Sequence, residues 1–264
     1  MSGPGRGGGP DSDGPAGPTG PERPLEQVGD LMVRPILVLD FDGTVCLGDA
    51  PVLRYAEEVA QRLPAARGHD LRSGVQGFLA GTVSLPDSED GYFAVVELAG
   101  GELDSESMSA AYLASRAALE AHDTYPPEGL GAFLDEVRGQ GTVVVLVTNA
   151  PLAGVDVWLS RHDLAERLDA VIPDAGKPGR MPAVLRGILQ HYDARPEQLA
   201  SVGDVWRNDI EPALSMGAGG MYIDRFGSGR GPATATAASF PGLYPQIRTW
   251  VRSVRDGLSG RGDA

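Results

Sequence analysis

Residues 36–44 read Ile36-Leu37-Val38-Leu39-Asp40-Phe41-Asp42-Gly43-Thr44, an aliphatic run that ends in two aspartates one residue apart and then a glycine. Alternation along a strand puts Asp40 and Asp42 on one face, with Leu39 and Phe41 on the other. Two like charges held together at a strand end are costly unless a cation or a reaction makes use of them. Gly43 lets the backbone break away sharply just beyond the pair. Taken alone, the segment also has a plainer, less favoured reading as a strand followed by an Asp-Gly turn.

Working outward, Val143–Val147, Ala170–Ile172, Leu199–Val202 and Gly220–Ile223 are further short aliphatic runs. Helical patterns lie between them at 128–139, 151–167, 180–192 and 208–216. Continuous apolar strands alternating with helices predict an α/β fold, a three-layer Rossmann-like core with a mostly parallel sheet covered on both faces. Ligands in such sheets bind beyond the carboxyl ends of the strands. The interval 46–127 breaks the alternation and reads as helices at 51–63, 70–80, 90–99 and 105–121. An inserted α-helical cap rooted directly after the aspartate pair is well placed to cover whatever binds there. The domain reading is therefore a disordered tail at 1–30, an α/β core at 31–46 and 127–245, a cap at 47–126, and a C-terminal helix and tail at 246–264. Residues 240–256 are expected to pack a final helix on the sheet or to contribute to a dimer.

Composition narrows the function. The chain has 264 residues, a formal charge of −14 and 42% apolar residues. That charge argues against a nucleic-acid partner and against docking on an anionic membrane. No apolar run approaches the ~20 residues of a membrane span, and the first residues lack the apolar segment of a secretory signal. The single cysteine, Cys46, fits a reducing cytoplasm and reads as a small buried thiol. The basic residues are 21 arginines and one lysine, Lys177, so any chemistry that needs a lysine must use that one.

Each later strand also ends in polar residues. After Val147 come Thr148 and Asn149, which can cap a helix, bind an anion, or do both. Lys177 lies between Gly176 and Pro178, where a compact ammonium can meet a carboxylate and a phosphoryl oxygen. After Val202 comes Gly203-Asp204-Val205-Trp206-Arg207-Asn208-Asp209, two acids that can converge on one hard cation, or a turn with Asp209 as a cap. Acid pair, hydroxyl, lysine and second acid pair thus occur in order at successive predicted strand ends.

In this the chain resembles the haloacid dehalogenase-like hydrolase superfamily over about residues 34–226. Asp40-Phe-Asp42-Gly-Thr is similar to its first motif, Thr148 to its second, Lys177 to its third and Gly203-Asp204-x₄-Asp209 to its fourth. The resemblance implies a Mg²⁺-dependent phosphomonoester hydrolase acting on a small phosphorylated metabolite. Asp40 would be the nucleophile that becomes an aspartyl-phosphate, and Asp42 the proton donor and acceptor. Thr148, Asn149 and Lys177 would hold the substrate's phosphoryl group. Mg²⁺ would be held by the Asp40 carboxylate, the Asp42 backbone carbonyl and Asp204, with Asp209 supporting it. Asp42 must hold a proton at one step, so its acidic neighbour should raise its pKa.

Only 28 residues separate Thr148 from Lys177, too few for a second inserted domain. The insertion after the first strand resembles the cap of the phosphoglycolate-phosphatase and β-phosphoglucomutase group. The dehalogenase branch lacks the second aspartate, and the phosphonoacetaldehyde-hydrolase branch needs a cap lysine that 46–127 does not contain. A phosphomutase, or a catalytically silent binding protein on the same fold, remains as the alternative. Monomer and homodimer are both open. Arg54, Arg72, Tyr92 and Arg116 are the cap side chains that could face substrate.

Overall fold

A computed structural model describes residues 34–117 and 123–259. The expected N-terminal tail and the Arg-Gly-Asp at 261–263 lie outside those residues. The sheet is parallel throughout, with strand order β3-β2-β1-β4-β5-β6. Its strands are β1 (Ile36–Leu39), β2 (Val143–Val147), β3 (Ala170–Ile172), β4 (Leu199–Gly203), β5 (Gly219–Ile223) and β6 (Ala235–Ala237). The short strand β6 was not among the expected runs. Ala235-Thr236-Ala237 has no aliphatic residue larger than alanine, and only pairing with Met221–Ile223 makes it a strand.

Period-two alternation divides the strands between two apolar layers. Leu37, Leu39, Val144, Leu146 and Val202 face a layer built on α5 (Leu130–Gly139), α6 (Leu152–Arg161) and α9 (Phe240–Ser259). Ile36, Val38, Val143, Val145 and Val147 face the opposite layer, with α7 (Met181–His191) and Ala213 of α8 (Glu211–Ser215). Helix α9 begins at Phe240 and runs through Pro241 and Pro245. Its buried Leu243, Tyr244, Ile247 and Val251 complete the first layer.

β1 lies between β2 and β4, and the chain leaves it toward opposite sides of the sheet. A ligand crevice opens at the carboxyl ends where strand order reverses in this way. The helical insertion starts there. Bridges Asp42–Cys46 and Leu47–Tyr125 form its stem. Its helices are α1 (Ala50–Ala60), α2 (Ala65–Leu79), α3 (Gly91–Ala99) and α4 (Ser105–Ala117). They bury their own cluster, including Val52, Tyr55, Val59, Leu71, Val75 and Val95, separate from the two sheet layers. The cap therefore has a core of its own and can pack as a unit.

Candidate active site

The crevice is a cavity of about 320 Å³ between the strand ends and the cap. Asp40, Asp42, Thr148, Asn149, Lys177 and Asp209 line its floor. The sheet brings together side chains that lie up to 169 positions apart in the chain, counting from Asp40 to Asp209.

The floor is organised around Lys177. Its Nζ donates to Asp40 Oδ1 at 2.6 Å and to Asp209 Oδ1 at 2.7 Å, and its side chain is 3% exposed. Burial alone would lower the pKa of Lys177, but Asp209 and Asp40 hold it above the usual lysine range. Its backbone is fixed by Asn149, whose Oδ1 accepts from Lys177 N at 2.7 Å and whose Nδ2 donates to Lys177 O at 3.1 Å. The Asn149 amide is thus spent on positioning the lysine, while the residue also lines the cavity. Thr148 is buried, and its Oγ1 accepts from Ala150 N at 3.0 Å, leaving the hydroxyl proton to donate elsewhere.

Two glycines make the acid cluster possible. Gly43 has φ of +81°, and a Cβ there would meet Asp204 Oδ2 at 2.0 Å. At Gly203 a Cβ would meet the Asp209 carboxyl carbon at 2.3 Å. The chain then widens into a turn with π-type hydrogen bonding at Trp206–Ile210, where a regular helix was expected from 208. Such turns often sit at functional sites. This one aims Asp209 inward, with its Oδ2 accepting from Val205 N at 3.3 Å.

Carboxylate oxygens of Asp40, Asp204 and Asp209 lie within 4.8 Å of one another. Asp204 Oδ1 is buried and has no hydrogen-bond partner. An all-oxygen donor set with an orphaned carboxylate oxygen fits a hard divalent cation. The Asp42 carboxylate is not in this trio; it points to the cap.

Burial raises Asp42 above the usual aspartate range, with Arg116 opposing and Asp40 reinforcing. The direction matches the sequence expectation, but burial rather than the acidic neighbour is the largest cause. Asp209 is pushed up to about 7 by burial, against the pull of Lys177. Burial also raises Asp204 well above its ordinary value, followed by Asp40, Asp90 and Asp209. Cys46 is buried and its thiol is pushed up to about 12, so it is an inert packing residue.

The cap reaches the floor at Arg116 of α4, whose Nη1 donates to Asp42 Oδ1 at 2.8 Å and to Tyr92 Oη at 3.4 Å. Of the four cap candidates, Tyr92 lines the cavity and Arg116 holds Asp42. Arg54 instead pairs with Asp123 at 3.1 Å, and Arg72 with Glu57 at 3.3 Å. Sequence reading missed Asp90, Tyr55, Phe93 and Tyr112, all of which line the cavity. Asp90 caps α3 by accepting from Phe93 N at 2.8 Å, and burial raises it to about 7 beside Asp40 and Asp42. The only local signal was Asp90 ahead of an apolar helix, which any N-cap gives.

Three core arginines hold the cap down. Arg207, inside the Trp206–Ile210 turn, bonds buried Glu89 through both its Nε and its backbone N–H. The same side chain donates to Asp87 O at 2.7 Å and covers the Phe93 ring at 4.4 Å. Arg230 donates to Ser88 O at 2.6 Å, and Arg225 pairs with Asp49 at 2.8 Å.

The sequence profile of the haloacid dehalogenase-like hydrolases matches residues 35–217. The chain belongs to that family. No curated protein matches it significantly. Among solved structures it is similar to a predicted phosphatase from Clostridium acetobutylicum, with TM-score 0.60, 16% identity, and 82% of this chain and 99% of the other covered. It is also similar to a predicted phosphoglycolate phosphatase from Haemophilus somnus, with TM-score 0.56, 13% identity and coverages of 81% and 98%. A β-phosphoglucomutase candidate from Thermotoga maritima gives TM-score 0.53, 18% identity and coverages of 81% and 98%. At these identities the likeness is one of fold. Among the described residues no helix is long and apolar enough to cross a membrane.

Proposed function

We propose that the protein is a Mg²⁺-dependent phosphomonoester hydrolase that works on a small phosphorylated metabolite through an aspartyl-phosphate at Asp40. The observation that carries this reading is the buried ammonium of Lys177, 2.6 Å from Asp40 Oδ1 at the base of the cavity. A carboxylate nucleophile and a phosphate dianion repel each other, and a fixed cation beside the nucleophile offsets that repulsion.

In the first step an Asp40 oxygen attacks phosphorus and the bond to the leaving oxygen breaks, with Asp42 giving that oxygen its proton. In the second, water attacks phosphorus, Asp42 takes the water's proton, and the bond to Asp40 breaks to release inorganic phosphate. This is covalent catalysis by a carboxylate with one shuttling acid–base group. Burial of Asp42 favours its protonated form, and the Arg116 guanidinium favours the charged form. Those opposed influences suit a group that must do both jobs. The Thr148 hydroxyl and Lys177 hold the phosphoryl oxygens, and Asn149 holds Lys177 in place.

Mg²⁺ would be held by the carboxylates of Asp40 and Asp204, with Asp209 and the Asp42 backbone carbonyl in support. When bound it neutralises phosphoryl charge as a Lewis acid.

The test is release of p-nitrophenol from p-nitrophenyl phosphate by the purified chain. Release should require Mg²⁺, stop with EDTA and fall to background in Asp40→Asn. Release undiminished in Asp40→Asn refutes the nucleophile assignment.

A further inference from the structure

The floor of the cavity carries charge, but its roof carries almost none that suits an anion. Tyr55 of α1, Tyr92, Phe93 and Val96 of α3, and Tyr112 of α4 line the cap side. The three tyrosine rings pack on one another with centroids 5.9 Å apart in every pair. The rings meet at interplanar angles of 39°, 89° and 68°, so the roof is a compact edge-to-face aromatic cluster rather than a set of separated rings.

The cations are accounted for. Lys177 is the one basic residue lining the cavity among the described residues, and it faces the nucleophile. Each of the five arginines between 47 and 126 is already on a carboxylate. Arg54 pairs with Asp123, Arg62 with Glu58, Arg67 with Glu102, Arg72 with Glu57 and Arg116 with Asp42. A second anionic group on the substrate would lie against aromatic faces and beside Asp42 and Asp90. Burying a charge without a partner is strongly unfavourable.

We propose that the substrate is a phosphate monoester whose leaving alcohol is uncharged and bears a single ring, which packs against the cluster of Tyr55, Tyr92 and Tyr112. The inference rests on the phosphatase reading and narrows it to one substrate class. It separates this site from one built for a carboxylate-bearing or doubly phosphorylated substrate, and so also from a mutase that must hold a second phosphate. Size agrees: about 320 Å³ is at the lower end of the roughly 300–1,000 Å³ of small-molecule sites. An aromatic site can also take a quaternary ammonium over a ring face, and phosphocholine is the arm of the experiment that decides between the two.

The experiment compares benzyl phosphate, phosphoglycolate and phosphocholine with the full chain and Mg²⁺, reading phosphate release as kcat/KM. Benzyl phosphate should exceed each of the others by about ten- to hundredfold, the range expected for burying one ring. Val96→Arg, a change at an exposed rim position, should narrow the benzyl-to-glycolate ratio by about two- to fivefold by supplying the missing cation. Equal or better turnover of phosphoglycolate or phosphocholine overturns the proposal and leaves the phosphatase reading standing. Binding of benzylphosphonate against phosphonoacetate, neither of which can be hydrolysed, supplies a second readout. A chain that turns over nothing, p-nitrophenyl phosphate included, refutes the phosphatase reading, and the two phosphonates still decide what the roof prefers. Tighter binding of phosphonoacetate overturns the proposal on that arm as well.

Discussion

Without a cation in the carboxylate cluster, the protein should lose stability as pH rises from mildly acidic to mildly alkaline, and Asp209 should account for much of the loss. Asp209 is 1% exposed and is held at about 7 in the folded chain, against about 3.9 for an unfolded aspartate. The folded state therefore binds more protons than the unfolded state between those values. Stability falls as pH rises wherever the folded state binds more protons, at about 1.36 kcal/mol per unit for one group. The contribution is fully present below pH ~4, declines through the interval, and is gone above pH ~7. Between pH 5.5 and 8.0 the declining part covers roughly 1.5 units, so Asp209 alone costs about 2 kcal/mol.

Other groups titrate over the same range, so the quantity to measure is a difference. Urea unfolding in EDTA at pH 5.5 and 8.0 should show the wild type losing about 2 kcal/mol more than Asp209→Asn. Saturating Mg²⁺ at a hundredfold over its dissociation constant should restore about 2.7 kcal/mol at pH 8.0. It should restore less at pH 5.5, where protons compete for the carboxylates. Equal losses in the two proteins, or a larger loss in Asp209→Asn, would refute the account of the cluster as buried, under-neutralised carboxylates.

Three further outcomes follow from the site. Arg116→Met removes the guanidinium that opposes the upward shift of Asp42, so the pH–rate limb set by Asp42 should move alkaline by about one to three units, with partial recovery in Arg116→Lys. Glu89→Gln keeps the size of the side chain but loses the charge that holds Arg207. Weakening the closed cap by about 1.5–3 kcal/mol should raise KM and speed proteolysis of the 84–90 segment, while unchanged KM and protection would mean that closure does not depend on this pair. Gly43→Ala forces a Cβ to within 2.0 Å of Asp204 Oδ2 at a positive φ, so calorimetry should show Mg²⁺ binding weakened by at least about tenfold; wild-type affinity would show that the loop can yield.

Much of the core was legible because the residues that build it report locally. Ile36–Leu39 and Val143–Val147 are buried on both faces, and such strands are near-continuous aliphatic runs that stand out in any sequence. The candidate site residues follow those runs directly, so locating a strand end also located Asp40, Thr148 and Asp204. Lys177 stood out as the one lysine. β6 was not legible because alanine favours helix and threonine favours strand, so the local preferences conflict and its neighbour β5 decides its conformation. The wide turn at Trp206–Ile210 was read as regular helix, since composition does not reveal one extra residue in a turn.

The cap shows the limit more clearly. Tyr55, Asp90, Tyr92, Phe93 and Tyr112 come from three helices or their caps, and each has an ordinary local explanation as core aromatic or N-cap. Their convergence over Asp40 depends on how α1, α3 and α4 pack on one another and on the Arg207, Arg225 and Arg230 contacts that seat them. The sequence by itself determined the α/β architecture, the inserted helices and the order of acid pair, hydroxyl, lysine and second acid pair, because short-range periodicity and strand ends encode them. The tertiary structure alone decided which acids converge within reach of a single cation, that Arg116 rests on Asp42, and that the roof is aromatic and without a free cation. Burial and the distance between groups remote in the chain set those properties, and neither is a property of any local stretch of residues.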